Sequence, residues 1–194
     1  NAVFRHCVFV GPTLDEPTAQ AQETTAHLVA LSGLATFDDC RFEGGTWGLW
    51  SDAGVQQLQV RECRFETQAL GGIGLRNAYG TLDIRRNLFE LGAGVSARAI
   101  FMDSCATDVR IAQNHIECSG DAIRAAFQQP FPNFFGSQFA VAHNFLVVPN
   151  GRALHLDGDI YAAVVFNSMR AKYGVELDAS NDLYAINGKT GTVA

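Results

Sequence analysis

Apolar residues in this 194-residue chain fall two apart, in short clusters that recur every twenty to thirty residues. One column reads Phe4, Phe37, Val60, Ile84, Ile111, Val141, Val164 and Ala185; another, five positions on, reads Phe9, Phe42, Phe65, Phe89, Ile116, Leu146 and Met169. Between them, at a fixed offset, stand Cys7, Cys40, Cys63, Asn87, Asn114, Asn144, Asn167 and Asn187, separated by 33, 23, 24, 27, 30, 23 and 20 residues. Spacing by two is strand alternation. Recurrence at a near-constant period with variable insertions is the mark of a solenoid. A third apolar pair follows in each unit: Leu28/Ala30, Ile73/Leu75, Ile100/Met102, Ile123/Ala125, Leu154/Leu156 and Val175/Leu177, with Leu49/Ser51 a weaker copy. The pattern predicts three short strands per unit, the Cys/Asn position being the corner between the first two.

Asparagine suits such a corner. It tolerates the left-handed conformation, and its amide can bond the asparagine one coil away. Corners stacked at about 4.8 Å predict a rod roughly 35–40 Å long. Two stretches break the period, 11–25 and 127–138. The second sets Phe131, Phe134 and Phe135 among prolines. It reads either as an aromatic wall over a cleft or as a compact loop packed on itself.

With units that read Leu-Thr-Ile-like, then Asn-x-Phe, then Gly-Ile-x-Leu, the chain resembles the right-handed parallel β-helix family, the pectate-lyase-like superfold, over nearly its whole length. The resemblance implies an all-β fold: a right-handed, three-sheet parallel β-helix of about eight coils with an Asn/Cys corner ladder, one domain over 1–194. It does not imply one activity, because the fold carries lyases, polygalacturonases, epimerases, phage tailspikes and non-catalytic surface proteins. Asp38-Asp39 invites comparison with polygalacturonases, but it falls before the corner. The Asn-Thr-Asp, Gly-His-Gly and Arg-Ile-Lys motifs of that group are absent, as are the epimerase Asp-Pro-His-Asp and pectin-esterase signatures.

Strand parity places two columns on the outer face of the third strand. The first is Trp50, Gly74, Phe101, Arg124, His155 and Glu176; the second is Asp52, Arg76, Asp103, Ala126, Asp157 and Asp178. Flat rings suit sugar faces, while carboxylates and guanidinium groups suit hydroxyls and uronates. In proteins resembling this fold the substrate lies along this sheet. The expectation is therefore a module that binds, and perhaps cleaves, a polysaccharide. Trp50, Arg76, Phe101, Asp103 and Glu176, with Phe134 and Phe135, would bind substrate. His155, Asp157, Asp178 and Arg124 would do the acid–base work. Inverting hydrolysis needs carboxylates about 6.5–9.5 Å apart, which the Asp rows permit. Lyase chemistry needs a base and a neutraliser of the uronate, Arg or Ca²⁺. Against this stand plainer readings. Asp103, Asp157 and Asp178 sit where a turn follows a strand, and His155 also fits a solvated or structural histidine. Glu43, Glu66, Glu90 and Glu117 form a further row beside Arg41, Arg64, Leu88 and His115. That row is a salt-laced surface or, less simply, a cation site for Ca²⁺.

A net charge of −6 argues against nucleic acid as partner, and no apolar run is long enough to span a membrane. Residues 1–10 read as mid-coil, and 185–194 stop within one, with no capping helix visible. A segment of a longer chain, or ends covered in a homo-oligomer such as a trimer, is the expectation. The alternative function is accordingly a non-catalytic structural or adhesion segment of a surface or phage-like fibre. Either function suits an extracellular or cell-surface location. Cys7, Cys40 and Cys63 read as small buried side chains in the corner row, and Cys105 and Cys118 belong to no metal or redox motif.

Overall fold

The computed structural model describes residues 2–21, 27–52, 54–92, 97–104, 106–126, 138–157, 161–177 and 183–187. Eight strands stack in parallel in one sheet: Ala2–Arg5, Gly33–Asp38, Val55–Arg61, Tyr79–Arg85, Ala106–Ala112, Gln138–Ala142, Tyr161–Val165 and Leu183–Asn187. These are the strands before each corner. The strands after the corner (Val8–Val10, Arg41–Glu43, Arg64–Glu66, Leu88–Glu90, His115–Glu117) and the third strands (Val29–Ala30, Trp47–Ser51, Gly71–Arg76, Arg98–Asp103, Ile123–Ala126) belong to one second sheet. They are joined because Phe145–Asp157 runs through the bend and pairs with both ladders. Three walls are thus built from two hydrogen-bonded sheets rather than three.

The fold is an all-β parallel solenoid. About five coils are regular, over 33–51, 55–76, 79–103, 106–126 and 138–157. Seven of the eight expected corners are corners; Asn187 instead ends the last strand, opposite Val165, because the register slips there, and other coils are partial or irregular. The first third strand is only Val29–Ala30, and register slips between Val148 and Arg152 and between Ala162 and Ala163. That first strand also corrects the expected parity. Val29 lies opposite Leu49 and Ala30 opposite Trp50, so Ala30 is outside, and exposed, rather than in the core. A slip of one residue exchanges the two faces, and the 11–25 insertion hides the count.

The corner works differently from the simple expectation. The left-handed residue is the one before the Asn or Cys: His6, Asp39, Glu62, Arg86, Gln113, His143 and Phe166 all have φ between 50° and 58°. Each costs about 1–2 kcal/mol. The neighbouring asparagines offset it, because their amides are fully engaged. The Oδ1 of Asn114 accepts from the backbone N–H of Asn87 (2.9 Å) and from its Nδ2 (3.0 Å). The Nδ2 of Asn114 donates to the Ile84 carbonyl and to the Oδ1 of Asn144, each at 3.0 Å. At the other end of the row the cysteines continue the ladder more weakly, with the Cys40 N–H to the Cys63 sulfur at 3.4 Å.

Inside, Phe9, Phe42, Phe65 and Phe89 stack face to face at 4.6–4.9 Å. They leave no room opposite. A Cβ at Gly48 would come within 2.7 Å of Phe65, and one at Gly72 within 2.6 Å of Phe89. Where the large column shrinks to Ile116 and Leu146, the small one grows to Ala122 and Ala153, so core volume is conserved from coil to coil.

Candidate functional site on the third-strand face

The register sets Trp50, Gly74, Phe101, Arg124, His155 and Glu176 side by side on successive strands. Arg76 stands beside Asp103, and Ala126 beside Asp157. The outward columns read from the sequence are therefore real columns. Outward is not the same as exposed, however, and the face divides into two unlike halves.

In the N-terminal half, Trp50 and Phe101 are only 2% and 7% exposed. Residues of the 11–25 insertion fold over them. Its helix, Glu16–Ala21, starts at Asp15, whose carboxylate accepts from the Thr18 N–H at 2.9 Å; these hydrogen bonds hold the Asp15 carboxyl below its ordinary value. Ala19 from this helix, with Leu14, closes an apolar cluster of Trp47, Trp50, Phe101, Ala69 and Leu70. Sugar stacking on open rings of Trp50 and Phe101 is thus corrected: both rings are covered in this conformation. Arg76 lies 5.1 Å from the centre of the Trp50 ring, between Asp52 (3.9 Å) and Asp103 (3.8 Å); Arg98 lies 4.9 Å from Phe101. Trp47 and Trp50 are buried, yet neither indole N–H has a hydrogen-bond partner among the described residues. An unmade buried hydrogen bond costs about 1–3 kcal/mol.

The C-terminal half is charged. Asp121 accepts the Arg152 backbone N–H at 3.2 Å. Its other oxygen lies 3.4 Å from the Arg152 guanidinium and 3.7 Å from Nδ1 of His155. Arg152 also pairs through Nε with Glu176. The hydrogen bond that Arg152 donates to Glu176, with the nearby Asp121 charge, holds the guanidinium above its ordinary pKa. His155 is 5% exposed, with Arg124 half-buried beside it and Asp157 exposed two residues on. So the face unites His155, Arg124 and Glu176, and leaves Asp157 at the rim. Asp178, Phe134 and Phe135 lie outside the described residues, as does all of 127–137.

Sequence reasoning missed Asp121 and Arg152. They belong to a third outward column, two residues before the first inward one: Trp47, Gly71, Arg98, Asp121, Arg152. Trp47 pairs with Gly71 and Gly71 with Arg98, and the Ala122 N–H donates to the Arg152 carbonyl. The two-residue step misses them, because two residues before an inward position it expects another inward one, whereas Trp47 clusters with Trp50 and Phe101 and it is Ala122 and Ala153 that fill the core.

Elsewhere the glutamate row is laced with ion pairs. Arg41 reaches Glu43 (3.3 Å) and Glu66 (2.5 Å), Arg64 reaches Glu66 (2.8 Å) and Glu90 (2.7 Å), and His115 reaches Glu117 (2.9 Å). Among the described residues, no three His, Cys, Asp or Glu side chains gather as a metal site, so nothing here collects Ca²⁺ ligands. A shallow depression of about 310 Å³ lies between Glu90, Glu117, Ser119 and Pro149, away from the candidate residues. Burial pushes the Cys63 and Cys118 thiols up to about 12, which leaves them protonated and unreactive. Cys105 lies outside the described residues. No helix among the described residues is long and apolar enough to cross a membrane.

No protein family, curated protein or solved structure matches this chain. The structure shows a parallel β-solenoid.

Proposed function

We propose that this chain is a right-handed, pectate-lyase-like β-helix whose third-strand face binds an acidic polysaccharide and whose charged half cleaves it by β-elimination. One observation carries the reading. Arg124 and His155 are register neighbours, and a carboxylate, Asp121, lies 3.7 Å from the far ring nitrogen of His155. Elimination from a uronate needs a base for the proton next to the carboxylate and a cation to hold that carboxylate as charge builds. His155 supplies the base through Nε2. Asp121 orients the imidazole and steadies the imidazolium. As His155 takes the proton, its electron pair forms the C4=C5 double bond, the C4–O bond to the leaving sugar breaks, and the leaving oxygen takes a proton from the imidazolium or water. Arg124 takes the uronate, and Arg152 is held in place by Asp121 and Glu176. Asp157, exposed at the strand end, is better placed to bind a sugar hydroxyl than to serve as half of a hydrolytic pair. Such a substrate is met outside cells or at their surface, which is where we place the protein.

A screen of polysaccharides with and without Ca²⁺ tests this. Absorbance at 235 nm reports unsaturated ends, and a reducing-end assay reports hydrolysis. The reading expects absorbance on a polyuronate and its loss in Arg124→Met. Reducing ends without absorbance would replace it with hydrolysis. A second reading has its own support: Trp50, Phe101 and His155 are all buried, as in a non-catalytic fibre segment that assembles with copies of itself, for instance as a trimer. Silence on every substrate from folded protein, with trimers in sedimentation, selects that reading.

A further inference from the structure

The eight-strand sheet before the corners has an outer face of its own, apart from the third-strand face. Leu58, Val60, Leu82, Ile84, Val109 and Ile111 turn inward there and are buried, so Arg61, Asp83, Arg85 and Arg110 turn outward. The register sets these four together. Arg61 stands opposite Arg85, and Asp83 opposite Arg110. Two guanidinium groups one coil apart repel each other. Asp83, 14% exposed, holds both: its Oδ2 accepts from Nη2 of Arg61 at 3.0 Å and from Nη2 of Arg85 at 2.7 Å.

This arrangement is short of negative charge. One carboxylate serves two arginines, and each gives it a single bond; the Nε of each is buried with no hydrogen-bond partner among the described residues. Arg110 is exposed and meets no carboxylate among the described residues. Two other acids stand near in register and are engaged elsewhere. Asp38, opposite Arg61, lies 4.0 Å from Arg5, and Asp108, two residues before Arg110, accepts the Gln138 N–H at 3.2 Å. Three guanidinium groups thus face one carboxylate, an excess of two positive charges in a chain whose net charge is −6. Beside them the face drops. Ala112 follows Arg85 on the next strand and Ala140 follows Arg110, with Ala142 and Ala163 beyond. Long side chains give way to methyl groups, so the arginines stand against a low apolar step.

We propose that Arg61, Arg85 and Arg110 form an anion site that takes a phosphate group. A doubly charged phosphate matches the excess charge, and guanidinium forks match its oxygens. The alanine step leaves room for whatever carries the phosphate. A free phosphate ion and a phosphate monoester share this chemistry. The site lies on a different sheet from His155 and does not depend on the proposed cleavage.

Calorimetric titration and thermal melting test it at about pH 8, where phosphate is doubly charged. The probes are inorganic phosphate and glucose 6-phosphate, with sodium chloride at matched ionic strength as control. Phosphate binds and raises Tm where chloride does not. Arg110→Gln removes one charge at an exposed position, keeps the fold and weakens binding about tenfold. Asp83→Asn does the reverse. It leaves Arg61 and Arg85 unbalanced and lowers Tm, and phosphate then raises Tm further than in the parent chain. Tighter binding of glucose 6-phosphate places its sugar on the alanine step, and equal binding assigns the site to the free ion; either result supports the site. Phosphate that acts no differently from chloride overturns it. Phosphate binding of unchanged strength in folded Arg110→Gln also overturns it, whether or not Asp83→Asn folds.

Discussion

The two halves of the third-strand face share one backbone register and differ in what the register carries. Toward the chain start the outward rows hold Trp47, Trp50 and Phe101, closed under Leu14 and Ala19. Toward the chain end the same rows hold Arg124 beside Asp121, Arg152, His155 and Glu176, the last four linked by ion pairs. A β-solenoid fixes where a side chain stands and leaves its chemistry to each coil. The first half is apolar and the second charged, at a spacing of about 4.7–4.9 Å per coil.

This division can be broken experimentally, and the largest effect is expected in the apolar half. Trp50→Ala removes a buried indole and lowers unfolding free energy by about 3–5 kcal/mol in urea, while product formation at His155 continues in the folded fraction. If cleavage disappears in folded Trp50→Ala protein, the halves are not separable. His155→Gln is the mirror test. It keeps the ring's approximate size but not its basicity, so cleavage falls at least ~100-fold with the melting temperature little changed. A collapse of stability instead makes His155 a structural residue. Asp121→Ala is expected to act on both readouts. It orphans the Arg152 backbone N–H, costing about 1–3 kcal/mol, and frees the imidazole, so the pH profile of cleavage shifts as well as the rate. Stability loss with an unmoved profile would detach Asp121 from the chemistry. The smallest effect belongs to the rim. Arg76 is a third exposed and lies 3.8–3.9 Å from its two carboxylates, so Arg76→Ala costs about 0–1 kcal/mol.

Buried thiols give a control that does not depend on a ligand. Desolvation holds Cys63 and Cys118 near 12, above their ordinary value of 9.0. The folded state therefore binds these protons more tightly than the unfolded chain. The contribution is complete below about pH 9 and is lost as pH rises toward 12. Native protein should resist alkylation at pH 8 and lose stability across that alkaline window; alkylation without unfolding contradicts the burial.

Much of this was legible in the sequence because a solenoid repeats its own evidence. Seven Phe/Ile/Leu/Met positions two after a Cys/Asn cannot all be accidents of composition, and the outer rows followed by parity. What failed to show had physical causes. The left-handed residue of each corner is His6, Asp39, Glu62, Arg86, Gln113, His143 or Phe166: no residue type marks it, and the ladder is made by the asparagine or cysteine that follows. The 11–25 segment gave no sign that it would cover Trp50, since among its described residues the apolar contact is made by Leu14 and Ala19, two scattered positions. Asp121 and Arg152 were overlooked because strict alternation would turn them inward; at the strand entry the alternation breaks, with Ala122 and Ala153 in the core and Asp121 and Arg152 paired outside it.

The central claim is that His155 meets the substrate. The chain has five histidines, His6, His27, His115, His143 and His155, few enough to assign in a long-range proton–nitrogen spectrum of the imidazoles, with His155→Gln identifying its own signal. Titration with tetragalacturonate should move the His155 ring resonances in step with binding, and leave His6, on the far corner row, in place. Saturating tetragalacturonate with His155 unmoved would contradict the account.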